Sequence, residues 1–116
     1  MFFQMVFAVV RCRHPVKLGV PGWQPLRTPP ETTEGAVEFA PQRVRVNAIA
    51  PSATMTDRVR GRLEAGNPRV TKLAASHLLG LIEPEDIANM AVFLASEESR
   101  MVTGHVYPVD SGVTIS

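Results

Sequence analysis

Cysteine, tyrosine and surplus charge are all scarce in this chain of 116 residues. Its one cysteine, Cys12, excludes an internal disulfide and is typical of proteins kept in a reducing compartment, so we expect a cytoplasmic location. The net charge of +1 gives no electrostatic basis for binding nucleic acid or an anionic membrane. Because 45% of the residues are hydrophobic and 20% are charged, the composition indicates a globular chain, and its length allows one small domain.

Long hydrophobic runs are missing as well. The apolar start of the chain, residues 1–10, is shorter than the ~20 residues that cross a bilayer. Arg11 and Arg13 follow this run, whereas a secretory signal carries its basic residues before the apolar stretch. We therefore expect a buried strand or a collapsed tail there. Cys12 and His14 are close, but a metal site needs four ligands, or three and a water, so we predict no metal site.

The chain changes character near residue 31. Half of its prolines lie before that point, and residues 14–31 follow neither a helical nor an alternating period. We therefore predict an irregular segment over residues 1–30 and a regularly folded region over residues 31–116. The folded region starts with a short helix over residues 31–40. The apolar face of this helix is predicted to hold Ala36, Val37 and Ala40.

The stretch RVRVNAIAPSATMTD, residues 43–57, predicts a buried strand followed by the start of a helix. The strand, residues 44–50, is rich in β-branched and small residues, and strands buried on both faces belong to parallel sheets. One face is predicted to hold Val44, Val46, Ala48 and Ala50, and the other Arg45, Asn47 and Ile49. Pro51 ends the strand because proline cannot donate a hydrogen bond to the ladder.

Two helices are predicted after this strand. The first covers residues 57–66, with Thr56 or Asp57 as its N-cap. The second runs over residues 67–79 and opens with an Asn-Pro pair, which suits a cap and a first helical position. The inward face of the second helix is predicted to hold Val70, Leu73, Ala74, His77 and Leu78.

The clearest helix is predicted over residues 83–96. Pro84 suits its first position, and Glu85 and Asp86 place negative charge at the positive end of the helix dipole. The helix is apolar nearly all round, which predicts contact with a sheet on one side and with another subunit on the other. A short strand over residues 105–109 and a turn after it close the series.

Three stretches together carry a resemblance: RVRVNAIAPSATMT, EPEDIANMAVFLASEESRMVTG and VYPVDSG. In this order and spacing, residues 34–116 resemble the C-terminal part of the short-chain dehydrogenase/reductase family. The resemblance implies an α/β fold: the C-terminal part of a doubly wound, Rossmann-like parallel sheet, here incomplete. It also implies NAD or NADP across the strand ends, because ligands bind beyond the carboxyl ends of parallel strands.

The resemblance assigns cofactor binding to the turn after the first strand of this region. The family has Pro-Gly there and a threonine four residues later; Pro51 matches, Ser52 replaces the glycine, and Thr56 falls on the threonine. By that match Thr56 would hydrogen-bond the nicotinamide carboxamide or a phosphate, and Thr54 would offer backbone groups beside it. Ser52 adds a Cβ where glycine lets the backbone approach the ring. Without the resemblance, Thr54 and Thr56 would be interpreted as capping residues of the next helix.

Residues 57–82 match the mobile lid that closes over substrate in this family. Within them, His77 is expected to be a packed or surface histidine and not a catalytic one. The helix over residues 84–96 and the strand over residues 105–109 would form a common subunit contact of the family. That match predicts a homo-oligomer or a complex with a full-length relative.

The family's catalytic pair has no match in the sequence. Its chemistry needs a tyrosine and, four residues later, a lysine that stabilises the tyrosinate and holds the ribose. The one tyrosine is Tyr107, expected to be packed in a strand, and the fourth residue after it is Ser111. No glycines show the G-x-x-x-G-x-G or G-x-G-x-x-G spacing that cradles a pyrophosphate. We therefore predict no catalytic residue and no saturable NAD(P)H binding by this chain alone.

Three hypotheses follow. The first is an NAD(P)-dependent oxidoreductase-family chain that is truncated and inactive alone. The second is a non-catalytic oligomerisation module, and the third is a non-functional product whose residues 1–30 come from an altered reading frame or splice. In each case we expect marginal stability, self-association or dependence on a partner, because an incomplete parallel sheet leaves an open edge and uncovered apolar faces.

Overall fold

The computed structural model of the chain describes residues 7–12 and 29–115. Within these ranges, three strands form one sheet and four helices accompany it. None of these helices is both long and apolar enough to cross a membrane. The strands are β1 (Phe7–Cys12), β2 (Val44–Pro51) and β3 (Val106–Val109), and the helices are α1 (Pro29–Phe39), α2 (Asp57–Glu64), α3 (Pro68–Ala75) and α4 (Pro84–Ala95).

Strand β2 is the middle strand of the sheet, which has the order β1-β2-β3. It runs parallel to β3, with Ala48 paired to Val106 and Pro51 paired to Val109. This pairing confirms the α/β class and the incomplete parallel sheet that the sequence predicts. Strand β1 runs antiparallel to β2, with Phe7 opposite Ile49, and the direction of this strand has no signal in the sequence.

The described residues of the N-terminal segment include a strand. The sequence predicts an irregular segment over residues 1–30 whose apolar start forms a strand or a collapsed tail. The structure places a strand at Phe7–Cys12 and begins α1 at Pro29. Residues 1–6 and 13–28 lie outside the described residues, and the boundary between the two predicted regions stays a prediction.

Strand β2 is buried on both faces. The side chains of Val46, Asn47, Ala48 and Ile49 are each at most 1% exposed. Because successive side chains of a strand point to opposite faces, a continuous buried run requires cover on both sides. Helices α1 and α4 both pack against β2, and the predicted two-sided burial of this strand is confirmed.

The buried amide of Asn47 connects β2 to the loop before β3. Its Nδ2 donates to the carbonyl oxygen of Val102 at 2.9 Å, and its Oδ1 accepts from the backbone N–H of His105 at 3.4 Å. Both ends of the amide are satisfied, as they must be, since a buried polar group without a partner costs about 1–3 kcal/mol. In the part of the chain that the structure describes, every buried side-chain nitrogen and oxygen has a partner.

The buried face of α1 differs from the prediction. Thr32 and Ala36 are 0% and 5% exposed, whereas Val37 is 72% exposed. Ala40 is also exposed and lies in the 3-10 turn that follows the helix. The prediction was right for Ala36 and wrong for the other two residues. Residues four apart share one side of a helix, and Val37 lies about 100° further round the axis than Ala36.

Helix α4 begins as the sequence predicts. Pro84 is its first residue, and Glu85 and Asp86 occupy its first turn. The backbone N–H of Glu83 donates to the Asp86 carboxylate at 2.9 Å, which is half of a capping box. The prolyl start, the carboxylates at the positive end of the dipole and this bond together define where the helix begins.

Arg45 of β2 holds the other end of α4. Its Nη2 donates to the carbonyl oxygens of Leu94 at 2.8 Å and Ser96 at 3.2 Å, and its Nη1 donates to that of Val102 at 3.3 Å. A cation at a helix C-terminus is favoured by the dipole and satisfies carbonyls that have no partner within the helix. Arg45 therefore ties the central strand to the end of α4 and to the loop that leads into β3.

The two sides of α4 test this packing. Leu94 is fully buried, and Val92 is 67% exposed. We expect Leu94→Ala to lower the free energy of unfolding by about 2–5 kcal/mol, because it removes a buried side chain and leaves a cavity. Val92→Ala on the same helix should change it by less than about 0.5 kcal/mol. Urea unfolding at one fixed protein concentration measures both, and equal losses would contradict the orientation of α4.

Candidate functional site

The candidate site lies where β2 and β3 end. The two strands are parallel, and Pro51 pairs with Val109 at their carboxyl ends. The backbone N–H of Ser52 then donates to the carbonyl oxygen of Val109 at 3.1 Å, so the chain leaves β2 beside the end of β3. Ligands of open α/β sheets bind beyond the carboxyl ends of the strands, which is the edge that this turn occupies. We call residues 52–56 the β2 turn.

The β2 turn is held by local bonds and by one longer connection. The hydroxyl of Thr54 donates to the carbonyl oxygen of Ser52 at 3.1 Å. Thr54 also forms an isolated parallel bridge with Ile82. In this bridge the N–H of Met55 donates to the carbonyl oxygen of Ile82 at 2.7 Å, and the N–H of Ile82 donates to that of Ala53 at 3.3 Å. The turn is thereby fixed to the segment just before α4.

Thr56 is the N-cap of α2. Its hydroxyl oxygen accepts from the N–H of Val59 at 3.4 Å, and its side chain is exposed. The structure thus selects Thr56 from the two predicted caps, and Asp57 is the first residue of the helix. A hydroxyl has one donor and two acceptor positions, so a threonine that accepts a capping bond keeps its proton for a second partner. Thr56 can cap α2 and donate to a ligand oxygen at the same time.

Helix α3 is shorter than predicted. It ends at Ala75, and Ser76 is its C-cap, with the Ser76 hydroxyl donating to the carbonyl oxygen of Leu73 at 2.7 Å. Its predicted start is confirmed, because the side chain of Asn67 accepts from two backbone N–H groups of the first turn. Leu78, predicted to face inward, is 63% exposed. That prediction was wrong because the helical period stops before residue 78.

The residues after α3 are attached on two sides. We call residues 76–80 the α3 exit. The N–H groups of Leu78 and Leu79 donate to the carbonyl and hydroxyl oxygens of Ser111, each at 2.8 Å. On the other side, the ring of His77 reaches Ser52 in the β2 turn, with 3.1 Å between Nε2 and Oγ. His77 is 5% exposed, so it is a packed histidine, as the sequence predicts.

The turn after β3 is held together by hydrogen bonds to Asp110. Its carboxylate accepts from the N–H groups of Gly112 at 3.0 Å and Thr114 at 3.3 Å, and from the Thr114 hydroxyl. The hydrogen bond from the Thr114 hydroxyl, followed by that from the Gly112 N–H, holds the pKa of Asp110 below its ordinary value. These bonds hold the turn in which Ser111, with a left-handed φ of 51°, presents its oxygens to the α3 exit.

A cavity of about 730 Å³ opens between α4, the end of β3 and the α3 exit. Residues 52–56 do not line this cavity, but Ile82 and Val109, which are bonded to the β2 turn, do, so the cavity lies beside the candidate site. Within the described ranges, no group of three or more histidine, cysteine, aspartate or glutamate side chains is placed to hold a metal ion. His14, which the sequence places near Cys12, lies outside those ranges. The cavity lining includes Leu79, Met90, Phe93, Pro108, Asp110 and Gly112.

The comparisons with known proteins concern the region that contains this site. A family model described as enoyl-(acyl carrier protein) reductase matches residues 32–114, which is most of the chain. The chain belongs to the short-chain dehydrogenase/reductase family.

Curated relatives from the short-chain dehydrogenase/reductase family are similar over the same part. An uncharacterized oxidoreductase of Mycobacterium tuberculosis is 39% identical over 83 residues, which cover 66% of this chain and 30% of the relative. The 3alpha-hydroxysteroid dehydrogenase of Mediterraneibacter gnavus is 45% identical over 76 residues, 65% of this chain and 29% of that protein. A 3-oxoacyl-(acyl-carrier-protein) reductase of Thermotoga maritima is 38% identical over 84 residues, with 72% and 33% covered. The chain therefore spans about a third of the length of these relatives.

Solved short-chain dehydrogenase/reductase structures share the fold. ElxO with NADP bound matches with a TM-score of 0.67 and 29% identity, over 76% of this chain and 36% of that one. The ligand-free aldohexose dehydrogenase of Thermoplasma acidophilum matches with a TM-score of 0.62 and 31% identity, over 76% and 38%. The parallel pair and its helices are thus an incomplete part of a Rossmann-like sheet.

The predicted short-chain dehydrogenase/reductase site residues fall in one place. Pro51, Thr54 and Thr56 lie together at the carboxyl edge of the sheet, and their role toward a cofactor stays a prediction. Tyr107 lies elsewhere, half-buried in β3 with its ring centre 6.2 Å from that of His105. The sequence does not predict the contact between Ser52 and His77. Its one trace is that a serine stands where the family pattern has a glycine.

The cap of α2 is testable without any ligand. We expect Thr56→Ala to lower the free energy of unfolding by about 1 kcal/mol, because the N–H of Val59 loses its side-chain acceptor. Thr56→Ser keeps the oxygen and should lose much less. Urea unfolding, together with hydrogen exchange of the Val59 amide, measures both variants. A serine variant as unstable as the alanine variant would show that the hydroxyl is not the stabilising group.

Proposed function

We propose that the described region supplies the nicotinamide-facing part of an NAD(P)-dependent short-chain dehydrogenase/reductase, and that these 116 residues alone do not transfer hydride. The observation that carries the proposal is the position of the β2 turn. It begins where parallel strands β2 and β3 end together, with Ser52 bonded to Val109 at 3.1 Å. A relative with NADP bound has the same fold over 76% of this chain.

The side chains of the β2 turn suit the polar groups of such a cofactor. The Thr56 hydroxyl accepts from Val59 and keeps a proton to donate to a carboxamide or phosphate oxygen. It stands at the N-terminus of α2, where the helix dipole favours negative charge. The backbone beside Thr54 is held in place by the bridge to Ile82. When bound, the cofactor supplies the hydride chemistry, and these residues would orient its nicotinamide end.

We expect no turnover because the chain has no match to the family's proton-transfer pair of tyrosine and lysine. The chain has one tyrosine, Tyr107, and Ser111 stands where the family pattern would need a lysine. The structure places Tyr107 within β3, where its backbone pairs with Ile49. Among the described residues, no tyrosine stands at the β2 turn to fill the family's proton-transfer role.

Tight cofactor binding would also need a phosphate cradle. A glycine-rich turn at a helix N-terminus supplies backbone N–H groups for the pyrophosphate, and the glycine spacings of this chain do not match one. We therefore expect the β2 turn to make only a residual contact with the nicotinamide end. A millimolar dissociation constant corresponds to about −4 kcal/mol, which a few hydrogen bonds can supply.

We predict no saturable binding of NADH or NADPH at micromolar concentrations, measured by nicotinamide fluorescence and by calorimetry. At millimolar NADH, amide resonances of the β2 turn should shift, because the nicotinamide end contacts Thr54 and Thr56. Adenosine, which lacks both the nicotinamide and the phosphates, is the matched control and should leave those resonances in place. Micromolar binding of NADH or NADPH would contradict the argument from the missing glycine-rich turn. Turnover of an alcohol or carbonyl would contradict the argument from the missing tyrosine and lysine. Millimolar shifts that avoid the turn would overturn its assignment.

We propose as the alternative a non-catalytic module that oligomerises through residues 84–96 and 105–109. Val92 and Phe93 of α4 are 67% and 39% exposed, and the apolar cavity lies between α4 and β3. In the described sheet, β3 is an edge strand whose outer side has no neighbour. An exposed apolar helix face beside an open sheet edge is suited to a second copy of the chain or to a full-length relative.

Sedimentation velocity tests this alternative. We expect the chain to self-associate as its concentration rises, and we expect Phe93→Glu to shift the distribution toward monomer, because it places a charge on the proposed face. Val37→Glu is the matched control, since Val37 is 72% exposed on α1, which lies outside that face. A chain that stays monomeric at high concentration, or equal effects of the two substitutions, would rule this contact out.

A further inference from the structure

His77 lies between α3 and the β2 turn, and it contacts Ser52, which is 25 positions earlier in the chain. One ring nitrogen, Nδ1, is 2.7 Å from the carbonyl oxygen of Leu73 in α3, and the other, Nε2, is 3.1 Å from the hydroxyl of Ser52 in the β2 turn. The residue is 5% exposed, so water has little access to compete for these partners. Both nitrogens therefore have a protein partner.

The contacts determine where the ring carries its hydrogen. A carbonyl oxygen can only accept, so the short contact with Leu73 requires a hydrogen on Nδ1. In the neutral ring Nε2 then has no hydrogen, and it accepts from the Ser52 hydroxyl. The hydrogen bond at one nitrogen sets the tautomer at the other. Ser52 therefore points its proton at His77.

Ser52 is a member of the β2 turn whose backbone is already bonded. Its N–H donates to Val109, and its carbonyl accepts from the Thr54 hydroxyl. The bond to His77 adds the side chain as a third anchor. A glycine at this position, as in the family pattern, has no hydroxyl to offer, so the link depends on the departure of this chain from that pattern.

The α3 exit is fixed on its other side by Ser111. Leu78 and Leu79 both donate to Ser111 at 2.8 Å, and Ser111 is held within the turn that Asp110 organises. His77 is adjacent to these anchored residues. A movement of the α3 exit is therefore opposed by the turn after β3, and His77 is the side chain of the α3 exit that reaches the β2 turn, next to the backbone bridge at Ile82.

We propose that His77 is a positioning residue that couples the α3 exit to the β2 turn through the Ser52 hydroxyl, so that the two segments hold their geometry together. The identity of the cofactor at the β2 turn rests on the proposed function, but the coupling between the two segments needs no cofactor. When α2 and α3 move as a lid, the α3 exit would then stay attached to the β2 turn.

The tautomer of His77 is the first test. Nitrogen-15 NMR of the ring, recorded where the neutral form dominates, should show a protonated Nδ1 and an unprotonated Nε2. The bond from Nδ1 to Leu73 fixes this state and leaves Nε2 able to accept from Ser52, so the tautomer tests a condition that the coupling requires, and substitution of Ser52 tests the second bond. A protonated Nε2 in the neutral ring would overturn the proposal, because Ser52 could not then donate to it.

Selective variants are the second test. His77→Gln places an amide near the position of Nε2 and can keep the bond to Ser52, whereas His77→Asn reaches only the position of Nδ1. Ser52→Ala removes the hydroxyl while avoiding the added backbone freedom of glycine. The readout is hydrogen exchange of the amide of Met55, a residue of the β2 turn whose N–H is bonded to Ile82. The amide of Ala48, bonded to His105 within the core, is the control.

We expect His77→Asn and Ser52→Ala each to speed exchange at Met55 by roughly two- to tenfold, the range that one hydrogen bond supports. The double variant should be no faster than either single variant, because both remove the same bond. His77→Gln should exchange at nearly the wild-type rate, and Ala48 should not change in any variant. Additive effects, or a glutamine variant as fast as the asparagine variant, would overturn the proposal. All of these measurements are made without nucleotide, so a failed cofactor titration leaves them unaffected.

Discussion

Strand β2 has no solvent-facing side, and the rest of the described structure follows from that constraint. Four successive side chains at its centre are almost fully buried, so helices must cover both faces and polar groups within it must find partners. Asn47 and Arg45 meet this need by bonding to the loop before β3 and to the end of α4. The same packing brings the carboxyl ends of β2 and β3 together at Pro51, which is where the β2 turn begins.

Features that depend on a few neighbouring residues could be predicted from the sequence. The start of α3 follows from an asparagine and a proline side by side, and the start of α4 from a proline followed by two carboxylates. The two-sided burial of β2 follows from its run of small and β-branched residues. The place of Thr56 as a cap follows from its position before a helical run. Each of these signals lies within about one helical turn of the feature it predicts.

Features that depend on distant partners could not be predicted in this way. The helical period alone does not show that α3 stops at Ala75, because the bonds of Leu78 and Leu79 to Ser111 replace the next helical turn. Val37 has an apolar side chain and yet faces outward, because Ala36 takes the place against the sheet. The link between His77 and Ser52 joins residues far apart in the chain, and its only local trace is a serine in place of a glycine.

The antiparallel direction of β1 has a consequence for the ligand-binding edge. Cys12, the last residue of β1, pairs with Val44, where β2 starts, and Phe7 pairs with Ile49 near its end. The chain therefore exits β1 on the rim of the sheet opposite to Pro51. A parallel strand in that position would deliver its following loop to the ligand rim, as β2 and β3 do. Among the described residues, the loop that leaves a neighbour of β2 at the ligand rim is therefore the one after β3, whereas β1 begins at that rim with Phe7.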